Sequence, residues 1–184
     1  RDQERNAILL SDNLKRFIGF SRIRKIAAYL AGMGEISLNP WMANNPRLQI
    51  YLPMLYEPIE PRLRFGRLEQ STRWKNNRFH IIEPDTPWKN TLHARQLDIV
   101  LLPLVAFDRQ GNRMGMGGGF YDRTLSFRQA RQKWTRPTLI GVAHSCQEYP
   151  ALPKQPWDVS LDVIITEREI IPTGTNQPGY LMKG

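Results

Sequence analysis

The sequence contains a single cysteine, Cys146, so no disulfide can join two parts of the chain. A lone cysteine is typical of proteins from reducing compartments. The sequence also has no apolar stretch near the ~20 residues that span a bilayer. Its first apolar cluster, residues 7–10, is too short for the apolar core of a signal peptide. We therefore expect a cytoplasmic protein that does not enter a membrane.

Acidic residues are few, since 17 aspartates and glutamates stand against 26 lysines and arginines, a formal net charge of +9. This excess favours an anionic partner, whether nucleic acid, a nucleotide or a polyanionic small molecule. No block of five like charges occurs, however, so a solvated surface explains many of the basic residues equally well. The 41% of hydrophobic residues excludes a disordered chain, and 184 residues suit one domain.

Apolar patterns predict that helices and strands alternate along the chain. An amphipathic helix is predicted over residues 2–20, with Ile8, Leu9, Leu14, Phe17 and Ile18 at helical spacings. Strands are predicted over residues 25–30, 48–52 (ended by Pro53), 62–65, 97–105, 138–143 and 162–166, with a helix over 120–134. This alternation favours an α/β fold, a three-layer open sheet that is mostly parallel and has helices on both faces.

Ligands of such sheets bind outside the carboxyl ends of the strands. Three predicted loops follow strands there: the loop that carries Glu35, the loop around residues 115–122 and the loop at 144–147. We expect these loops to share one crevice. For His144 a structural role is favoured over catalysis, and Cys146 is expected to be a small buried residue.

Residues 111–123, GNRMGMGGGFYDR, place five glycines in thirteen positions directly after the most apolar predicted strand. Gly115, Gly117, Gly118 and Gly119 have no Cβ, so several backbone N–H groups can converge on one anion. A glycine-rich hairpin turn is the alternative. Because a helix that follows such a loop aims its N-terminus at a phosphate, the context favours a phosphate-binding loop.

Two aspartates lie near strand ends and are candidate metal ligands. Mg²⁺ takes one or two carboxylates together with phosphate oxygens and water, so Asp122 and Asp158 suit it. Asp122 could instead cap the helix that follows the glycines. Arg113 and Arg123 flank the loop and offer the planar fork that matches phosphate, although either could be an exposed surface charge.

Residues 102–125, LPLVAFDRQGNRMGMGGGFYDRTL, resemble the signature of the 5-formyltetrahydrofolate cyclo-ligases, also called methenyltetrahydrofolate synthetases. Further blocks resemble the same family in the same order: IAAYLAGMGEIS at 26–37, IIEP at 81–84, IGVAHSCQ at 140–147 and LPKQPWDVSLDVIITE at 152–167. A long signature with ordered flanking blocks is much more specific than a short glycine motif.

The resemblance implies a role for each matching position. The implied ATP-binding residues are Arg113, Met114, Gly115, Met116, Gly117, Gly118, Gly119, Phe120 and Tyr121. The implied folate-binding residues are Leu30, Glu35, Met116, Gly117, Gly118, Gly119 and Phe120. Asp122 and Asp158 match the family's magnesium ligands, and Arg113 and Asp122 are the implied catalytic residues. A carboxylate at Glu35 could accept hydrogen bonds from pterin N–H groups.

The reaction implied by the resemblance is the ATP-dependent conversion of 5-formyltetrahydrofolate to 5,10-methenyltetrahydrofolate, with release of ADP and phosphate. The γ-phosphoryl group would pass to the formyl oxygen, and N10 would close the ring as phosphate leaves. We expect ATP, Mg²⁺ and the folate, including polyglutamylated forms, to bind a monomeric protein that binds no nucleic acid and no membrane. The family also uses a basic pair upstream of the first helix, which neither Arg1 nor Arg5 matches. We therefore expect a single domain, residues 1–184, that lacks a short basic segment.

Two other functions stay open from the residues themselves. A phosphate loop would also serve a small-molecule kinase or another ATP-driven ligase. The charge of +9 would suit a nucleic-acid-binding module, although aromatic and basic residues are not interleaved and no nucleic-acid motif occurs.

Overall fold

The structure, a computed structural model, describes residues 2–19, 22, 25–32, 34–57, 59–130 and 136–174. Its helices are α1 (Asp2–Ile18), α2 (Asn39–Ala43), α3 (Phe120–Leu125) and α4 (Phe127–Ala130), with 3₁₀ turns at Trp88–Asn90, Ala94–Gln96 and Ser145–Gln147. Its strands are β1 (Lys25–Ala27), β2 (Gln49–Tyr56), β3 (Arg62–Arg67), β4 (Trp74–Asn76), β5 (Ile82–Pro84), β6 (Ile99–Pro103), β7 (Ala106–Phe107), β8 (Arg113–Met114), β9 (Thr138–Val142), β10 (Val163–Ile165) and β11 (Ile170–Pro172).

Seven strands form one sheet in the order β11-β10-β9-β6-β1-β2-β3. The five strands from β10 to β2 are parallel, and the edge strands β11 and β3 are antiparallel to their neighbours. The predicted mostly parallel sheet is therefore confirmed. Numbered along the chain, the five parallel strands lie in the order 2-1-3-4-5, which reverses between β1 and β6. A ligand crevice forms at such a reversal because the loops from the two strands diverge to opposite faces.

Alternate side chains of the central strands enter two separate cores. Ile99 and Leu101 of β6 pack with α1 and α2 on one face. Val100 and Leu102 pack with Leu125 of α3 on the other face. Helices thus cover both faces, which confirms the three layers and explains why β6 is apolar at nearly every position.

The long helix α1 begins with acidic residues and ends with basic ones, which complements the helix dipole. It buries Leu10, Leu14 and Phe17 against the sheet. Ile8 and Leu9, predicted for the same apolar face, are exposed, because positions three and four apart from Leu14 define the buried stripe. Among the described residues, no helix is both long enough and apolar enough to cross a membrane.

β2 continues through Pro53, where the sequence predicts that it ends. Pro53 lies beyond Tyr51, the last residue of β2 that pairs with β1. Its partner on β3, Phe65, exchanges backbone hydrogen bonds with Leu92 instead. No N–H donor is therefore needed at Pro53, and proline is tolerated within the strand.

The predicted helix over residues 120–134 is two short helices, α3 and α4, that meet at Ser126. Residues 131–135 lie outside the described residues. The hairpins β4–β5 and β7–β8 and the edge strand β11 were not predicted individually, because each strand has only two or three residues and pattern recognition needs longer runs.

Candidate active site

The loop after β1 places Glu35 at the reversal of strand order. The Glu35 N–H donates to the Gly32 carbonyl (2.9 Å), and the Gly32 N–H donates to Glu35 Oε2 (3.0 Å). Burial raises the pKa of the Glu35 carboxyl group, and the hydrogen bond from Gly32 offsets only part of this effect. Leu30, on the same loop, is 41% exposed, so it lines the surface and does not belong to the core. A carboxylate that burial destabilises is suited to a ligand that donates hydrogen bonds.

Two tyrosines connect the Glu35 loop with the glycine segment. The Tyr29 hydroxyl, just after β1, donates to the Ile36 carbonyl at 2.7 Å, and Tyr121 lies in the first turn of α3. Burial raises the pKa of both phenols, and the negative charge of Glu35 raises them further. Charges act strongly only over short distances in this way. Tyr121 therefore lies within electrostatic range of Glu35, so α3 begins near the Glu35 loop. That the loops share one crevice stays a prediction.

The hairpin β7–β8, which precedes the glycine segment, is built around Asp108, a carboxylate that is only 1% exposed. Its Oδ1 accepts the backbone N–H groups of Gln110 (3.1 Å) and Asn112 (3.0 Å). Its Oδ2 accepts the Asn112 side chain and the Leu152 N–H, both at 2.9 Å. Burial alone would raise the pKa of Asp108, but these hydrogen bonds outweigh it and lower the pKa. Because Leu152 leads into the segment with Asp158, Asp108 fixes the two candidate metal-binding regions relative to each other.

Residues 115–119 form an exposed loop between β8 and α3. Gly117 has a φ of +89° and Gly119 a φ of +65°, values that side chains disfavour. The Met116 side chain is 71% exposed at the centre of the loop. The turn of the β7–β8 hairpin lies earlier, at residues 108–112, so the glycines join a strand to a helix and do not form a hairpin turn.

Phe120 forms an aromatic wall beside the glycines. Its ring packs edge-on against Phe79, from the turn between β4 and β5, with centroids 5.8 Å apart. Arg123 lies 5.3 Å from the same ring centroid. Arg123 also donates to the carbonyls of Gly118 (2.6 Å) and Pro61 (2.7 Å), so it holds the loop through backbone groups. Sequence reasoning missed Phe79, because its turn is far from the glycines along the chain.

Arg113 and Asp122 meet behind the loop. Arg113 Nη2 donates to Asp122 Oδ1 at 2.8 Å, and the two side chains are 7% and 17% exposed. The same oxygen accepts the Val159 N–H at 3.0 Å, while Asp158 Oδ2 accepts the Gln155 N–H at 2.8 Å. Within the described part of the chain, the second oxygen of each aspartate accepts no hydrogen bond. Because Val159 follows Asp158 directly, the backbone at Asp158 lies beside the Asp122 carboxylate.

This pair of aspartates fits Mg²⁺ bound together with a nucleotide. Each carboxylate has one oxygen fixed by the protein and one that could bind a cation. Among the described residues, no three histidine, cysteine or acidic side chains form a cluster that could hold a metal alone. Mg²⁺ is commonly bound by one or two carboxylates, with phosphate and water oxygens completing its coordination.

The loop after β9 is fixed to the segment that follows β6. The Gln147 side chain donates to two carbonyls just beyond β6, at 2.9 and 3.0 Å. His144 is buried and hydrogen-bonded to Asn6 at 3.1 Å, an arrangement consistent with the structural role favoured for it. The expectation that Cys146 is buried is wrong, since the 3₁₀ turn at Ser145–Gln147 leaves it exposed.

The described geometry agrees with sequence comparisons. Residues 2–167 match the profile of the 5-formyltetrahydrofolate cyclo-ligase family. The chain belongs to this family. A 5-formyltetrahydrofolate cyclo-ligase of Haemophilus influenzae is 42% identical over 150 residues, which cover 77% of this chain and 75% of that protein. The 5-formyltetrahydrofolate cyclo-ligase of Escherichia coli is 36% identical over 154 residues, 79% of each chain.

Solved structures carry the same cyclo-ligase fold. The NMR structure of Aquifex aeolicus 5,10-methenyltetrahydrofolate synthetase superimposes with a TM-score of 0.75 and 27% identity, covering 100% of this chain and 91% of that one. A 5,10-methenyltetrahydrofolate synthetase from Mycoplasma pneumoniae gives a TM-score of 0.66 and 25% identity, covering 90% and 87%. The two loops, the Arg113–Asp122 pair and Asp158 all lie inside the region matched to the cyclo-ligase family.

Proposed function

We propose that this protein converts 5-formyltetrahydrofolate to 5,10-methenyltetrahydrofolate and releases ADP and phosphate from ATP. Its family is that of the 5-formyltetrahydrofolate cyclo-ligases, which are ATP-dependent enzymes. The observation that supports the assignment within the molecule is the proximity of Glu35 to Tyr121, which follows the glycine loop, at the reversal of strand order. The Glu35 loop suits a heterocycle that is rich in hydrogen-bond donors, and the glycine loop suits a phosphate.

The chemistry explains why ATP is needed. An amide-like formyl oxygen is a poor leaving group, whereas its phosphate ester leaves readily. We infer that the γ-phosphoryl group moves to the formyl oxygen, and that N10 then attacks the formyl carbon. The C–O bond to phosphate breaks and the five-membered ring closes. In such a transfer the protein contributes mainly positioning and neutralisation of charge.

We propose that residues 113–121 bind ATP. Open backbone at Gly115 and Gly117 supports this role, because a Cβ at either position would meet nothing within 4 Å, so a phosphate can approach the chain. Arg113 would neutralise phosphate charge, and its hydrogen bond to Asp122 Oδ1 fixes the position of the guanidinium beside the proposed metal ligand. Asp122 and Asp158 would hold Mg²⁺, which when bound supplies positive charge to phosphate oxygens.

We propose that the folate lies between Leu30, Glu35 and the exposed side of residues 116–120. Glu35 would accept hydrogen bonds from the N–H groups of the pterin, which would repay the cost of its buried charge. Met116 and Phe120 offer exposed apolar surface for the flat rings. Phe79 extends that surface, because its ring contacts Phe120.

The test is a coupled assay with purified protein, 5-formyltetrahydrofolate, Mg²⁺ and ATP. We expect the ultraviolet absorbance of a methenyl product to grow in step with ADP. ADP release without that product, on a panel of other acceptors, would instead indicate a kinase or a different ligase. Absence of both product and ADP would contradict the proposal.

Three finer properties stay predictions. The protein is proposed to be monomeric, to act in the cytoplasm and to accept polyglutamylated folates, for which the net charge of +9 offers general electrostatic support. Light scattering of the purified protein would test whether it is a monomer. Comparison of substrates with one and three glutamates would test whether it accepts polyglutamylated folates.

A further inference from the structure

A cavity of about 570 Å³ opens on the sheet face that carries α3. It lies between β3, the 3₁₀ turn Ala94–Gln96 and the junction of α3 with α4. Three arginines, a histidine and two aromatic residues line it, and no acidic residue does: Arg62, Arg64, Arg95, His93, Tyr56 and Phe127.

Arg62 is paired with Glu60 (3.4 Å), but Arg64 and Arg95, the other two arginines of this cavity, have no counter-ion among the described residues. Arg64 donates to Thr91 Oγ1 (2.9 Å) and to the Thr91 carbonyl (3.0 Å), and it is hydrogen-bonded to His93. The Arg95 guanidinium lies 4.9 Å from the Phe127 ring centroid. Neither arginine forms a salt bridge with any described residue. Burial lowers the pKa of His93, and the positive charges of Arg64 and Arg95 lower it further. Both charges therefore act on the same imidazole.

Two other arginines, both more buried than Arg95, are paired with carboxylates. Arg113 meets Asp122 at 2.8 Å, and Arg128 meets Asp162 at 2.9 Å. Guanidinium groups gathered without a counter-ion repel one another and lose hydration, a cost that a bound anion would recover. The planar fork of arginine matches a carboxylate through two parallel hydrogen bonds.

The cavity shares α3 with the proposed folate site. Phe120 begins α3 and forms the aromatic wall of that site, while Thr124, near the end of α3, lines the cavity. The Thr124 hydroxyl accepts the Leu63 N–H at 2.8 Å, which fixes α3 against β3. A helix of six residues rises about 9 Å. In a folate, the p-aminobenzoyl group is a rigid spacer of similar length between the pteridine and the glutamate.

We propose that this cavity binds the carboxylates at the glutamate end of the folate substrate, with Arg64 and Arg95 as the residues that hold them. This inference rests on the proposed function, because its ligand is part of the proposed substrate. Tyr56 and Phe127 border the aliphatic part of the glutamate, and the arginines determine that a carboxylated tail is preferred over a neutral one.

The test compares 5-formyltetrahydrofolate with 5-formyltetrahydropteroate, which lacks the glutamate, in the wild-type protein and in Arg95→Gln. Arg95 is exposed and forms no hydrogen bond with any residue that the structure describes, so the variant should fold. We expect KM for the folate to rise about three- to tenfold, the range for loss of an ordinary hydrogen bond, because Arg95 is exposed and Arg64 still binds the carboxylates. KM for the pteroate and kcat for both substrates should stay within twofold. Arg47→Gln, an exposed arginine far from the cavity, is the matched control and should change neither KM.

Three results would overturn the inference alone. Arg95→Gln could raise both KM values equally, it could raise neither, or the wild-type protein could use folate and pteroate equally well. Loss of all methenyl formation in the wild-type protein, with any folate, would instead contradict the proposed function.

Discussion

The pKa values of two carboxylates of the site shift in opposite directions, although burial acts on both in the same way. Burial raises the pKa of Glu35, which receives one backbone hydrogen bond from Gly32. It would do the same to Asp108, but four hydrogen bonds reverse the effect and lower the pKa. A carboxylate whose charge the protein leaves poorly compensated is available to a ligand, whereas a fully satisfied one belongs to the framework.

Glu35→Gln should weaken folate binding and slightly stabilise the fold. The amide oxygen can still accept the Gly32 N–H, but the charge that would bind the pterin is gone. We expect KM for the folate to rise by about 10- to 150-fold, the equivalent of 1.5–3 kcal/mol. Because its pKa in the folded protein is raised, ionised Glu35 opposes folding at neutral pH, so its removal should raise the melting temperature. KM and thermal melting check the two effects.

The pH profile of kcat/KM gives a second check on Glu35. In the wild-type protein, kcat/KM should fall as acid protonates Glu35, at a higher pH than for an ordinary glutamate. In Glu35→Gln this acid limb should disappear. An unchanged acid limb, or an unchanged KM, would remove Glu35 from the folate site.

Asp122→Asn should lower kcat by about 100-fold or more, since the proposed metal loses a charged ligand. It should also cost about 3 kcal/mol of stability, because Arg113 is left as a largely buried charge without its partner. Asp162→Asn is the matched control, because the Arg128–Asp162 pair is similarly buried, at 6% and 8% exposure. Both variants should be destabilised, but only Asp122→Asn should change the Mg²⁺ concentration at half-maximal rate. An unchanged rate and Mg²⁺ dependence would exclude Asp122 as a ligand.

Asp108→Asn should destabilise the protein in a pH-dependent way. The folded pKa is lower than the unfolded pKa, so the carboxylate stabilises the fold above the unfolded value of about 4. That stabilisation is lost as the pH falls through the lower folded value. We expect a loss of about 2 kcal/mol at pH 7, because an amide group would face four hydrogen-bond donors, and a smaller difference below pH 4. Urea unfolding across pH, with the exposed Asp12→Asn as control, measures this; a constant difference at all pH values would contradict it.

Among the elements, the glycine loop could be predicted from the sequence, but the residues that hold it in place could not. Four glycines within residues 115–119, before an aromatic pair, indicate a close approach to the chain, and the structure has open backbone at Gly115 and Gly117. The supporting role of Asp108 was only weakly indicated, because an aspartate three residues before Gly111 is the spacing of a type I turn. No sequence pattern indicated the role of Phe79, because its contact with Phe120 depends on how the β4–β5 hairpin folds against α3.

Gly118→Ala should disturb the aromatic wall, whereas Gly115→Ala should not. A Cβ at Gly118 would lie 2.5 and 2.7 Å from atoms of the Phe120 ring, while one at Gly115 meets nothing within 4 Å. The Phe120 ring would have to move away from Phe79, so we expect a loss of about 1 kcal/mol of stability and a higher KM for the folate. Chemical denaturation of the two variants checks the first effect. Equal stability of both would contradict the described packing.

For the whole molecule, the alternation of helices and strands was sufficient to predict a mostly parallel sheet with a crevice at the carboxyl ends of its strands. The order of the strands in the sheet could not be predicted from the sequence, because it depends on which apolar faces pack together. The order places β1 beside β6, and so brings Glu35 near Tyr121 although 86 positions separate them along the chain. The site is therefore a property of the topology, assembled from loops that share no local sequence pattern.

The most direct test of the central claim follows one oxygen atom through the reaction. The protein would be given 5-formyltetrahydrofolate labelled with ¹⁸O in the formyl group, together with ATP and Mg²⁺, and the released phosphate would be analysed by mass spectrometry. Transfer of the γ-phosphoryl group to the formyl oxygen predicts one ¹⁸O atom in each phosphate and an equal amount of methenyl product. Methenyl product accompanied by unlabelled phosphate, with the ¹⁸O recovered in water, would contradict the account.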